Sequence, residues 1–226
     1  MNIHVYSVIW NEELIIPYFL RHYSKFAKIT LINHHCTDQT LSIAKGKARI
    51  LDYPFDRPFT EGDHSAAFEW AYKKYSRKAD WVICVDADEF LYEPVSQLSL
   101  LSGIVKPVAY MMISEKPPTT DEQIYDEIKT GVRMRSFDKP VMFNPQIDVI
   151  FGNGRHTAEA RWNGMLVQPV QSRIKLLHYK YLGKEYYFER SRLVYPRKDK
   201  TDEVIDYRLK KGLRWYDEHI GAENVI

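Results

Sequence analysis

Two cysteines, Cys36 and Cys84, are all that 226 residues contain, so no disulfide framework holds this chain and its stability must come from a buried core. Long apolar runs are missing as well. No stretch approaches the ~20 residues of a membrane-spanning helix, and Met1-Asn2-Ile3-His4-Val5-Tyr6 enters a strand pattern directly, so no signal peptide is expected. Neither sign of charge dominates: Lys and Arg number 32 against 30 Asp and Glu. That balance leaves no global field to attract nucleic acid, and no nucleic-acid partner is expected. Repeats, low-complexity tracts and flexible linkers are absent, so one domain over 1–226 is expected. Few cysteines, one of them inside an apolar run, suit a reducing cytoplasm. The basic and aromatic carboxyl end makes peripheral association with the inner face of a membrane the alternative location.

What the chain does have is a regular alternation of strand and helix signals. Ile3 to Ile9 reads as a strand, and Leu14, Ile15, Tyr18, Phe19, His22 and Phe26 follow at helical spacing. Lys28 to Asn33 is a second strand, with Thr37 or Asp38 placed to cap a helix from Gln39 to about Lys45. Ala48 to Tyr53 is a third strand, and Asp63 opens a helix ending near Lys78, with His64 in its first turn. Trp81 to Val85 is a fourth, apolar on both faces as in a strand covered by helices. Such βαβ units predict an α/β fold with a parallel amino half and helices on both faces of the sheet. Beyond Leu91 the pattern is mixed. A short helix over Ser96 to Ser102, strands over Pro107 to Ile113, Val141 to Asn144, Asp148 to Phe151, Met165 to Val170 and Arg173 to Tyr179, and helices over Lys184 to Tyr195 and Asp202 to His219 are expected.

The fourth strand runs straight into Asp86-Ala87-Asp88-Glu89. Alternate carboxylates at a strand's carboxyl end stand where open α/β sheets bind ligands, and they suit a hard divalent cation completed by phosphate oxygens. Adjacent His34-His35-Cys36, by contrast, is expected to be an ordinary loop, because neighbouring residues rarely furnish three ligands to one ion.

Three segments together resemble the family 2-like glycosyltransferases of the GT-A fold with an Asp-x-Asp-Glu-Phe motif. They are Asn11-Glu12 after the first strand, Asn33-x-x-x-Thr37-Asp38-x-Thr40 after the second, and Asp80 through Leu91. A looser fourth is Leu177-His178-Tyr179 with the helix that follows. The resemblance implies a GT-A type nucleotide-binding sheet, its nucleotide-sugar half over about 1–95 and its acceptor half with the carboxyl-terminal helices over about 96–226. It implies a nucleotide-sugar donor, with a UDP-sugar the first expectation, a glycan or lipid-linked acceptor, and transfer with inversion. By the same resemblance Asn11 and Glu12 line the nucleotide pocket, Asp38 holds base or ribose, Asp88 meets Mn²⁺ or Mg²⁺, Asp86 serves ribose or the metal, and His178 completes the metal site. Asn33 stands where many relatives have Asp, a departure that leaves the base open.

The residues add further candidates. Gly152-Asn153-Gly154-Arg155-His156 permits close backbone approach, so that Arg155 or His156 could meet the diphosphate or the acceptor. His64 either points into the donor cleft or helps Asp63 cap its helix. An inverting transfer needs a carboxylate to take the acceptor proton, and Glu115, Asp148 and Glu159 in the mixed half are the candidates. The alternatives are a non-catalytic nucleotide- or glycan-binding protein of the same fold and a nucleotidyltransferase. The second would be expected to carry a glycine-rich basic loop after the first strand, where this chain has Trp10-Asn11-Glu12-Glu13.

Overall fold

A computed structural model describes residues 1–56, 60–93, 103–198 and 201–226. The amino half runs β1 (Ile3–Ile9), α1 (Ile16–Tyr23), β2 (Lys28–Asn33), α2 (Thr40–Ala44), β3 (Arg49–Asp52), α3 (Glu61–Tyr75) and β4 (Trp81–Cys84). The rest adds β5 (Glu89–Tyr92), β6 (Ile104–Ser114), α4 (Ile124–Glu127), β7 (Gly131–Arg133), β8 (Met142–Phe143), β9 (Asp148–Phe151), β10 (Ala158–Trp162), β11 (Met165–Leu166), β12 (Val170–Leu182), α5 (Lys184–Val194) and α6 (Asp202–His219). The short helix expected over 96–102 lies outside the described residues.

The main sheet has the order β3-β2-β1-β4-β8-β6-β12-β5, with β7 on β6. β3, β2, β1 and β4 are mutually parallel. The short β8 then inserts antiparallel between β4 and β6, and β12 runs parallel to β6 and antiparallel to β5. The expected α/β class, parallel in its amino half and mixed in its carboxyl half, is therefore the observed one. Strand alternation explains why helices cover both faces. Ile3, Val5 and Ile9 of β1 with Trp81 and Ile83 of β4 pack toward Ile16 and Phe19 of α1. Tyr6 and Val8 with Val82 and Cys84 pack toward Ala67, Phe68 and Ala71 of α3.

Helix ends follow local chemistry. α3 starts at Glu61, two residues before Asp63, because Thr60 takes the cap position and its side chain accepts from the Asp63 amide. The His64 side chain reaches Asp86, its Nε2 3.6 Å from Oδ1. Two strands carry signals that hydropathy hides. β5 begins with a charged residue that is completely buried, Glu89, and β10 reads Ala-Glu-Ala-Arg-Trp, with little strand propensity. A three-stranded antiparallel sheet, β11-β10-β9, carries the second of these beside the main sheet. Among the described residues no helix is long and apolar enough to cross a membrane.

At the carboxyl end α5 and α6 pack on each other through one close approach. A Cβ on Gly212 of α6 would stand 1.8 Å from the Tyr187 hydroxyl of α5, and that hydroxyl bonds Tyr195 at 3.1 Å. Gly212→Ala is therefore expected to lower stability by about 1–3 kcal/mol through overpacking, seen as a lower urea midpoint at unchanged slope. An unchanged midpoint would show that the two helices do not meet this closely.

Candidate active site

β1, β2 and β4 are parallel, so the loops leaving them open on the same edge of the sheet. There Trp10, His34 and Asp86 border one cleft of about 350 Å³, closed on the far side by the end of β12, the Gly154–His156 loop and α5. This is the carboxyl edge at which open α/β sheets place their ligands.

Asp86 to Glu89 form a tight turn. The Glu89 amide donates to the Asp86 carbonyl at 3.0 Å, and the Asp86 amide donates to Oε2 of Glu89 at 3.0 Å. Folding the turn back in this way sends the Glu89 side chain under the cleft, where it is 0% exposed. Burying a carboxylate is tolerable only with partners. Glu89 has two cations: Lys139, which donates to Oε1, and Arg155, 3.5 Å from Oε2. Both also reach Asp86, Arg155 at 2.9 Å and Lys139 at 3.5 Å, while Nε2 of His64 stands 3.6 Å from its other oxygen. Two acids and two bases thus balance beneath the cleft. Burial pushes the Asp86 carboxyl up, but Arg155, Lys139 and His64 outweigh it and hold the group well below the ordinary carboxylate range.

Arg155 is positioned at a conformational cost. Gly154 and Arg155 have φ of 61° and 58°, the left-handed region, and Arg155 is a non-glycine residue held there. Its guanidinium lies 4.3 Å over the Phe68 ring and shares a 3.2 Å contact with Nδ1 of His64.

Asp88 is set by long-range pairing. β5 pairs antiparallel with β12 so that Glu89 opposes His178, and the Tyr179 amide donates to the Asp88 carbonyl at 2.8 Å. An extra residue in β12 between His178 and Tyr181 breaks the alternation there, a bulge of the kind that re-aims side chains. The result brings Nε2 of His178 to 3.2 Å from Oδ2 of Asp88. Burial raises the Asp88 carboxyl, and His178 reverses that, leaving it below its ordinary value.

Across the cleft, Glu12 accepts from Arg190 of α5, and its amide donates to Thr40 Oγ1 at 2.7 Å. Burial moves the Glu12 carboxyl up to about 8, against the pull of Arg190 and with added repulsion from Asp88, Asp86 and Asp38. His156, held by the Ser136 carbonyl at 2.8 Å, lines the same space; burial and then Lys139 lower its pKa.

Of the residues singled out from sequence, Glu12, His64, Asp86, Asp88, Arg155, His156 and His178 come together in the cleft. Asn11, Asn33 and Asp38 do not line it. Asn11 bonds Thr37, Asn33 accepts from the Cys36 amide, and Asp38 accepts from the amides of Glu13 and Thr40, so the three hold the loops beneath the cleft together. The three acids considered as a base stand elsewhere. Glu115 is exposed at the end of β6, Asp148 pairs with Lys73 at 2.6 Å, and Glu159 pairs with Arg161 at 2.7 Å. Their exposure follows from their places at a strand end and on the outer face of β9 and β10. The oxygens of Asp86, expected at ribose or the metal, face Arg155, Lys139 and His64. Sequence reasoning missed Lys139, Arg190 and Arg197. Lys139 sits between Asp138 and Pro140 with no motif around it, and the arginines lie more than 170 and 160 residues from their partners Glu12 and His34.

No family model and no curated protein matches the chain. Solved structures do. Glucosyl-3-phosphoglycerate synthase from Mycobacterium tuberculosis, in complex with Mn²⁺, uridine diphosphate and glucosyl-3-phosphoglycerate, matches 48% of this chain at 22% identity and a TM-score of 0.39. Mannosyl-3-phosphoglycerate synthase from Rubrobacter xylanophilus matches 53% at 14% identity and 0.39, and a mannosyltransferase from Pyrobaculum calidifontis with GDP-Man and Mn²⁺ matches 51% at 15% and 0.34. The matched regions span 44%, 44% and 36% of those proteins.

Because the Asp86 carboxyl is held below its ordinary 3.8, its contribution to stability is complete above that value and is lost as pH falls through the folded-state value. Asp86→Asn should cost roughly 1–3 kcal/mol near pH 7, and the gap in melting temperature from the unaltered protein should narrow as pH falls below the ordinary carboxylate range. A gap independent of pH would remove the ion pairs as its cause.

Proposed function

We propose that the protein is a metal-dependent glycosyltransferase of GT-A type that moves a sugar from a nucleotide-sugar donor, a UDP-sugar first, to a glycan or lipid-linked acceptor. The observation that carries this reading is the meeting of Asp88 with His178, residues 90 apart in sequence, at 3.2 Å on the carboxyl edge of a nucleotide-type sheet. Asp88 and His178 supply one oxygen and one nitrogen donor, a set that suits Mn²⁺ or Mg²⁺ when further oxygens come from a diphosphate. Among the described residues no group of three or more His, Cys, Asp or Glu could hold an ion by itself. Such an ion, when bound, acts as a Lewis acid on the leaving diphosphate.

The chain's own groups divide the remaining work. His178 places Nε2 beside the Asp88 carboxylate, 3.2 Å from Oδ2. Asp86, held by Arg155 and Lys139, would present a fixed carboxylate to donor hydroxyls. His156 and the Gly154–Arg155 backbone border the space left for sugar and acceptor. Among the described residues, Glu12 and Glu61 are the carboxylates that line the cleft outside the Asp86–Glu89 turn, and the base for an inverting transfer is sought between them. Burial raises the Glu12 carboxyl to about 8, so at neutral pH it is largely protonated and would have to lose that proton before it could accept one from the acceptor. In this reading 1–226 work as one unit, the half after residue 95 shaping the acceptor side.

Asp88→Ala and His178→Ala should each weaken Mn²⁺-dependent binding of UDP about 100-fold or more by calorimetry, by removing one of two protein ligands, and should barely move the metal-free melting temperature. A donor panel with Mn²⁺ should reveal one nucleotide sugar that is hydrolysed or transferred. Unchanged binding in both variants, together with no turnover across the panel, would sink the proposal.

A further inference from the structure

The small sheet beside the main one ends in a hairpin whose tip is apolar and uncovered. β10 and β11 are joined by Asn163 and Gly164, whose φ of 48° and 81° make the two left-handed positions of a tight hairpin turn. Trp162 and Met165 flank that turn as register partners and are 49% and 65% exposed. Leu166 and Val170, a little further along, are 59% and 51% exposed. Single exposed apolar side chains are ordinary, but four within nine residues form a patch. None of the four lines the donor cleft.

The tip is apolar on both of its faces. Alternation puts Trp162 and Met165 on the face from which Ala160 and Val149 enter the core, and they continue that face past the point where the core ends. Leu166 lies on the other face opposite Arg161, with the exposed Ile150 further back on β9. A partner laid flat against one face would leave the other in water. An apolar layer entered edge-on covers both.

Charge says which layer. From Ala160 to Lys184 the chain has no Asp or Glu. The acids on the outer face of the small sheet, Glu159 and Asp148, are paired with Arg161 and Lys73 at 2.7 and 2.6 Å. Arg173 and Lys106, on the strands that carry Val170 and its partner Val105, make no ion pair among the described residues. Indole, thioether and aliphatic groups are thus rimmed by unspent positive charge. That combination complements an anionic bilayer, where Trp sits at the headgroup level and each base near the surface adds attraction. The carboxyl-terminal helix offers less: its exposed Tyr207 stands between Asp206 and Arg208, and Asp206 is paired with Lys210 at 2.7 Å.

We propose that the β10–β11 hairpin docks the protein on an anionic lipid bilayer, with Trp162, Met165 and Leu166 entering the headgroup region and Arg173 and Lys106 meeting lipid phosphates. The contact uses neither a metal nor the donor cleft, so it stands or falls separately from the transferase reading.

Flotation of the purified full chain with lipid vesicles tests the proposal. The protein should bind vesicles of equimolar phosphatidylcholine and phosphatidylglycerol, and bind less on added salt or on phosphatidylcholine alone. Trp162→Ser, Met165→Ser and Leu166→Ser should each lower the partition coefficient about fivefold or more, by removing apolar surface that the bilayer would cover. Arg173→Gln should lower it about fivefold on the anionic vesicles only. Tyr207→Ser on α6 should leave it unchanged. Absence of binding to anionic vesicles, binding that the three hairpin variants leave intact, or binding lost through Tyr207→Ser instead would overturn the proposal. A concentration-dependent dimer in sedimentation that Trp162→Ser dissolves would also overturn it, because a second copy would then cover the patch. If Trp162→Ser does not fold, Met165→Ser and Leu166→Ser, at the more exposed positions, decide.

Discussion

A carboxylate with no access to water sits beneath the cleft, and the arrangement of the site depends on it. Glu89 is tolerated in the interior because Lys139 and Arg155 come to it from β8's approach and from the loop after β9, segments 50 and 66 residues away. Each cation then has a second acid, Asp86, so four charges cancel in a space that none could enter alone. Removing Glu89, the fully buried member, would leave buried cations uncompensated, which typically costs about 3–5 kcal/mol. The network therefore fixes the Asp86 turn and, with it, the direction in which the chain leaves for β5.

That direction has a second consequence. β5 turns back against the sheet and pairs with β12, and this antiparallel register carries His178 to Asp88. A donor pair drawn from the two halves of the chain is thus a product of the antiparallel pairing of β5 with β12. The left-handed Arg155 belongs to the same constraint: its backbone strain is offset by the ion pairs and the Phe68 ring that hold its guanidinium under the cleft. On the opposite wall, α5 and the turn after it bring Arg190 and Arg197 over the exits of β1 and β2, so the carboxyl-terminal helices complete a site begun by the first strand.

Much of the fold was legible because its elements obey simple periodicities. β1, β2 and α6 occupy the residues that alternation and helical spacing assign them, and the parallel order of the amino half follows from the βαβ rhythm. Elements that escaped notice break those rules for a reason. β5 starts with a buried Glu whose partners are remote, β10 alternates small and charged residues, and β12 runs longer than Arg173 to Tyr179 because its early residues are exposed on a partly covered edge. The place of Asp86 and Asp88 was legible in the same way, as acids at the end of a buried strand. The base candidates were not. A carboxylate's usefulness depends on where its loop goes, and Asp148 and Glu159 turned outward into surface ion pairs.

By itself the sequence determined the α/β class, the strand that ends in Asp86 and Asp88, and the absence of disulfide or membrane-spanning support, because each of these rests on local composition and spacing. The tertiary structure alone decided which groups meet. It placed Asp86 among cations, paired Asp88 with His178, took Asn11, Asn33 and Asp38 out of the cleft to brace its loops, and laid Arg197 on Trp10. The longest-range of these, such as Asp88 with His178 across 90 positions, are set by strand register and helix packing, and no local pattern in the chain encodes them.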